Sequence, residues 1–149
     1  VRPEECDTVS IAGMGGQTIA DILAAAPWTG DGEHLLLLQP MTMVYELRQW
    51  LWAHGYMIEC ETVCREDRRY YVVLSVRGGG PVRAVPLSGC AFSPALLRAA
   101  GARDYLEKLL QREIRALEGM QSGSAVDRAV LDGQRETVRA IKQAWEELA

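Results

Sequence analysis

Ser10-Ile11-Ala12-Gly13-Met14-Gly15-Gly16-Gln17-Thr18 is the stretch on which the reading of this chain turns. Thr8 to Ala12 contains β-branched residues and predicts a short strand. The strand meets a glycine cluster. Ile19, Ile22 and Leu23 follow at helical spacing, Ala24 to Ala26 continue the helix, and Pro27 ends it. Glycines at such a turn let a ligand approach the backbone without meeting a Cβ. The helix N-terminus beyond it offers unpaired N–H groups to an electronegative atom. A nucleotide-type site at the carboxyl end of a parallel strand is the generic expectation. The plain alternative is a tight strand-to-helix turn with no ligand. A dinucleotide fingerprint is not met. G-x-G-x-x-G needs glycine where Thr18 stands, and the next strand ends in Gln39 instead of an acidic ribose-holding residue. A nicotinamide oxidoreductase is therefore disfavoured.

Working outward, Thr29 to Glu33 reads as a turn. Leu35 to Leu38 is a continuous apolar run stopped by Gln39-Pro40, as expected of a strand buried on both faces in a parallel sheet. Val44, Leu47 and Leu51, with Trp50 beside them, mark a second amphipathic helix closed at Gly55 by a left-handed cap. Tyr56 to Val63 and Tyr70 to Val76 are strands by composition, and the charged run Arg65 to Arg69 suits the hairpin turn between them. The order β-α-β-α-β-β demands a parallel sheet, with the closing hairpin adding an antiparallel element at one edge. Gly78-Gly79-Gly80-Pro81 starts a connector, and the chain reads as helical after about Ser93. Leu106, Leu110, Ile114 and Leu117 line one helix face, and Gly119 to Gly123 reads as a loop. In the last helix Leu131, Val138 and Trp145 repeat every seven residues, as do Gln134, Ile141 and Leu148. That heptad seam suits a coiled-coil-like two-helix hairpin. The expected division is residues 1–90 for the sheet and 91–149 for the hairpin.

The 149 residues include 48% hydrophobic and 24% charged side chains, an ordinary globular composition that excludes bulk disorder. No apolar run is long enough to span a bilayer. Cys6, Cys60, Cys64 and Cys90 lack the paired spacing of a zinc site and read as reduced thiols of a cytosolic, hence cytoplasmic, protein. His34 and His54 are isolated and read as loop or helix-end residues, so no metal site is expected. Residues 1–94 carry 7 basic and 11 acidic side chains, and residues 95–149 carry 9 of each. Arg98, Arg103, Lys108, Arg112, Arg115, Arg128, Arg135, Arg139 and Lys142 would grip phosphates if clustered on one face. The competing reading is a solvated face laced by pairs such as Asp104–Lys108. The chain begins Val1-Arg2-Pro3 without Met or a signal-peptide pattern, so it is expected to be processed, trimmed or part of something longer.

Five elements, in order and with fitting spacing, resemble one family. They are Ile11-Ala12-Gly13-Met14-Gly15-Gly16, Leu36-Leu37-Leu38-Gln39-Pro40, Leu47-Arg48-Gln49-Trp50-Leu51, Gly55-Tyr56-Met57-Ile58, and Glu66-Asp67 leading to Tyr71. Together they resemble the C-terminal part of the bacterial tRNA (adenine-N1)-methyltransferases of the TrmK type, which modify adenine 22. The resemblance covers nearly all of residues 7 to 76 and continues loosely through Phe92-Ser93-Pro94 into the helical hairpin. Val72 stands where the family often has Glu, and Arg68 where a turn glycine is common. The family's first strand-turn-helix, G-S-D-H-A-Y-L-P, has no counterpart in this sequence.

The resemblance implies an α/β fold, the C-terminal half of a Rossmann-like class I methyltransferase sheet beginning at its fourth strand. It implies methyl transfer from S-adenosylmethionine to adenine N1 in tRNA, with this chain inactive alone. Gly13, Met14 and Gln39 are then the expected catalytic residues. Ala12, Gly13, Gly15 and Gly16 are expected to face the cofactor, and Pro40, Tyr71 and Arg48 the substrate. For Tyr71 the residues alone favour a core role, and for Arg48 a structural or phosphate-facing one. The rival expectation is a non-catalytic RNA-binding or dimerisation module. Its homodimer would form through the open edge of the first strand or through the heptads.

Overall fold

The computed structural model describes residues 1–149. Four strands alternate with helices: β1 (Thr8–Gly15), α1 (Gly16–Ala25), β2 (Leu35–Thr42), α2 (Val44–Ala53), β3 (Met57–Glu66) and β4 (Arg69–Arg77). A long connector with two short 3-10 turns then leads to α3 (Ala102–Ser122) and α4 (Arg128–Glu147). The expected turn after α1 is itself partly a 3-10 turn, Pro27–Gly30. β1 and β2 pair in parallel, joined by α1. The sheet order is β1-β2-β4-β3, with β4 antiparallel to both of its neighbours. The closing hairpin thus adds an antiparallel element at one edge, as the sequence reading had it, with β4 on its inner side. β3 takes the edge because the hairpin folds its second strand back onto β2.

The hairpin is tighter than expected. Arg65 pairs with Tyr70 and Glu66 with Arg69, so only Asp67 and Arg68 remain for the turn. Asp67 adopts φ 52°, a left-handed conformation that Asp tolerates at such tight turns. α2 ends as anticipated, at His54 and then Gly55 with φ 75°. α3 runs through Gly119 to Ser122, so the loop between the long helices begins at Gly123 and not Gly119. The i,i+4 hydrogen bonds of a long helix outweigh the modest cost of one glycine in its last turns. Asp127 caps α4 by accepting from the N–H of Ala129.

One face of the sheet is packed. Ile11, Leu36, Leu38, Val72, Leu74 and Val76 are buried with Ile19 and Leu23 of α1, and Leu47 and Leu51 of α2. The same cluster takes in Leu106, Leu109 and Leu110 of α3 and Ile141 of α4, so the hairpin rests on the core that the sheet builds. Of the heptad positions, Val138, Trp145 and Leu148 pack against that cluster. β2 departs from expectation. Its burial alternates, with Leu36, Leu38 and Pro40 buried and Leu35, Leu37 and Gln39 half-buried. In this chain helices cover one face of the strand only. No helix is long and apolar enough to cross a membrane.

Candidate active site

The ends of β1 and β2 form a built structure. The parallel register pairs Ala12 with Gln39 and Met14 with Pro40, leaving Gly13 as an unpaired bulge. Gly13 has φ 73°, which a side-chain-bearing residue adopts only at a cost. Its N–H donates at 2.9 Å to the side-chain oxygen Oε1 of Gln39. The Nε2 group of Gln39 reaches the Pro40 carbonyl oxygen at 3.3 Å and the Met41 sulfur at 3.4 Å. One amide side chain therefore ties the glycine turn of β1 to the end of β2. No heavy atom lies within 4 Å of where a Cβ on Gly13 would be. The bulge thus presents bare backbone to open space.

Gly16 has a different reason for being glycine. A Cβ there would lie 2.2 Å from the Met43 carbonyl oxygen. Gly16 is buried where the start of α1 meets the β2–α2 junction, and it lines a separate groove with Gln49, Trp50 and Pro86. Close packing is thus a reason for glycine at this position that needs no ligand. Met43, the residue it meets, takes the left-handed conformation, with φ 55°.

The structure brings Ala12, Gly13, Met14, Gln39 and Pro40 together at this strand end. Tyr71 joins them from β4, lining one groove with Pro40 and Met41. Arg48 does not join. Its side chain is fully buried, and it is bonded to Glu61 and to the carbonyl oxygens of Cys90 and Ala91. It has no route to a substrate, so the substrate-binding expectation for Arg48 is corrected. Its other reading, a structural residue, is what the geometry shows.

One residue at the mouth, Met41, was missed. Met14 is 41% exposed, and Met41 and Met43 are 49% and 47% exposed. Exposed apolar side chains at the paired strand ends, Met14 and Met41, suit a flat, polarisable ligand. The signal was Met41-Thr42-Met43, placed straight after Gln39-Pro40 in a segment that burial does not explain.

No three His, Cys, Asp or Glu side chains converge as a metal site would require. His34 is buried at the start of β2, bonded through Nδ1 to Asp31 and through Nε2 to the Pro3 carbonyl oxygen. The Asp31 carboxylate beside it holds the imidazole above its ordinary range. His54 stacks on Trp50 at the end of α2. Both histidines serve loop and helix ends.

The chain as a whole is similar to known proteins. A Bacillus subtilis tRNA (adenine(22)-N(1))-methyltransferase is 34% identical over 97 residues, which is 65% of this chain and 40% of that protein. The crystal structure of the Bacillus subtilis TrmK tRNA methyltransferase superposes with a TM-score of 0.67 at 25% identity, covering 99% of this chain and 64% of that one. A Streptococcus pneumoniae protein crystallised with S-adenosyl-L-methionine gives a TM-score of 0.71 at 28% identity, covering 96% and 62%. The chain thus spans about two fifths of the curated relative and under two thirds of the solved ones. Residues 1–144 match the family model described as TrmK: tRNA (adenine(22)-N(1))-methyltransferase, so the glycine bulge and its glutamine tie belong to a member of that family.

Proposed function

We propose that the crevice at the ends of β1 and β2 is the adenine-facing wall of a methyltransferase site. In this reading the chain serves the transfer of a methyl group from S-adenosylmethionine to N1 of an adenine in tRNA. The observation that carries it is the open backbone of Gly13, held in place by Gln39 through a 2.9 Å hydrogen bond. Family membership and the S-adenosyl-L-methionine complex of a structural relative support it.

The chemistry asks little of the protein beyond placement. Adenine N1 carries its own lone pair, so no general base is needed, and positioning is the main contribution. N1 lies on the pairing edge, so the base must be unpaired or extruded before it reacts. The backbone of Ala12 to Met14 can hold the adenine edge, and the exposed Met14 and Met41 can pack on its faces. Gln39 is a positioning residue, since its oxygen is already committed to Gly13. The cofactor supplies an electrophilic methyl group. Ala12, Gly13 and Gly15, which offer backbone with little side chain, would form the shelf on that side.

The test is tRNA methylation by a protein of the relatives' full length that carries these residues. Gly13→Val should lose turnover while circular dichroism shows an intact fold. Methylation at the unaltered rate would overturn this wall as the reacting site.

A further inference from the structure

We propose that the groove between the β3–β4 turn and α3 is a phosphate track that leads RNA into the adenine wall. The proposal rests on the methyl-transfer reading for its substrate and goes beyond it in naming the surface. The groove has a volume of about 540 Å³, and Pro40 and Met41 are among its lining residues. It is thus continuous with the crevice at the end of β2. Arg68 comes from the hairpin turn, Arg69 and Tyr71 from β4, and Lys108, Arg112 and Arg115 from α3, with no acidic side chain in the lining.

Ion pairing distinguishes four of these cations from three on α4. Arg135, Arg139 and Lys142 of α4 are each paired with an acidic neighbour, Asp132, Glu136 and Glu146 respectively. Arg68, Arg69, Lys108 and Arg115 are exposed and have no carboxylate within salt-bridge distance. The Asp104–Lys108 pair that would have made α3 a self-neutralised face does not form. Arg112 is held by Glu113 and by the Tyr45 hydroxyl, yet its side chain stays 62% exposed. It is an anchored cation on the groove wall.

Lys108, Arg112 and Arg115 follow i, i+4, i+7 spacing, which sets them along one helix face over about 10 Å. Arg68 of the turn and Arg69 of β4 line the same groove, as does the half-buried Tyr71. Unneutralised cations along a channel with an aromatic ring are the chemistry that holds a nucleic-acid strand by phosphates and stacks its bases. An acidic polypeptide would use the cations but leave the ring and the adjoining adenine wall without a role.

The test is tRNA binding to this chain, followed by fluorescence anisotropy across a salt series. The combined variant Arg68→Gln, Arg69→Gln, Lys108→Gln, Arg115→Gln should bind at least about tenfold more weakly and lower the salt slope by about 3. The control Arg135→Gln, Arg139→Gln, Lys142→Gln should bind like the parent. Circular dichroism checks that each variant is folded. Three results would overturn the track: no binding by the parent chain, equal losses in the two variants, or polyglutamate competing as well as RNA. If the groove variant binds normally while Gly13→Val abolishes methylation, the track falls and the methyl-transfer reading stands. If methylation survives Gly13→Val while the groove variant loses RNA, the reverse holds.

Discussion

Arg48 and Glu61 meet side-on in the core, with Nε donating to Oε1 at 2.9 Å and Nη2 to Oε2 at 2.8 Å, and neither side chain exposed. The remaining nitrogen, Nη1, donates to the carbonyl oxygens of Cys90 and Ala91 at 3.0 and 2.8 Å. One guanidinium therefore joins α2, β3 and the connector. Removing it leaves a buried carboxylate and two carbonyl groups without donors. Arg48→Met should lower unfolding free energy by about 3–5 kcal/mol, measured by urea denaturation. Adding Glu61→Leu removes the stranded charge and should recover part of the loss. Recovery stays incomplete because the two carbonyls remain unpaired. A single variant as stable as the parent would contradict this account.

The two ends of the glycine cluster should respond differently to alanine. At Gly13 nothing obstructs a methyl group, and the cost is the left-handed backbone alone, about 1–2 kcal/mol. At Gly16 the added carbon meets the Met43 carbonyl at 2.2 Å, so the β2–α2 junction must move. A rigid overpacking of that kind costs about 3 kcal/mol. Gly16→Ala should therefore melt at a lower temperature than Gly13→Ala by differential scanning fluorimetry. The opposite order would mean that Gly16 is glycine for ligand access after all.

Strand and helix identities were legible because their patterns are local. The apolar run at Leu35 to Leu38 and the seven-residue spacing of Leu131, Val138 and Trp145 need only the chain nearby. Sheet order was less so. Whether β3 or β4 lies against β2 depends on which strand offers the better apolar face, and both are rich in β-branched residues. Glu61 explains why Arg48 was misplaced among the substrate contacts. An arginine on an amphipathic helix looks solvated until its partner, thirteen residues on and in another element, is seen opposite it. Gln39 was picked out as a site residue, but its bond to Gly13 spans 26 residues and follows only from the parallel register. The groove cations were visible as charges. Their lack of partners was not, since pairing depends on rotamers and packing.

Acid should loosen the contact between α2 and the helical hairpin. Tyr45 donates its O–H to Glu113 at 2.8 Å, and Gln134 Nε2 donates to the same carboxylate at 2.8 Å from α4. Burial alone would raise the Glu113 carboxyl, but the hydrogen bonds from Gln134, Arg112 and Tyr45 prevail and hold it below its ordinary value. A depressed carboxylate contributes stability above the unfolded-state value, about 4.3, and loses it as pH falls through the folded one. Glu113→Gln removes that titration. Thermal stability measured from pH 7 to pH 3 should therefore fall less steeply in Glu113→Gln than in the parent. Parallel slopes would show that Glu113 does not couple the hairpin to α2.

The cysteines should divide by exposure. Cys60 and Cys64 lie exposed on edge strand β3, open to any alkylating reagent. Cys90 is buried beneath the connector, its sulfur 3.3 Å from the Pro86 carbonyl oxygen, and burial pushes its thiol up to about 11. Reaction needs a thiolate that the reagent can reach, and Cys90 meets neither condition at pH 8. Iodoacetamide at pH 8 followed by peptide mass spectrometry should mark Cys60 and Cys64 in the folded protein. Cys90 should be marked at a comparable rate only in denaturant. Arg48→Met, which frees the Cys90 and Ala91 carbonyl groups, should speed Cys90 labelling before it unfolds the sheet. If Cys90 reacts as fast as Cys60 in the native parent, the connector does not seal the core as described.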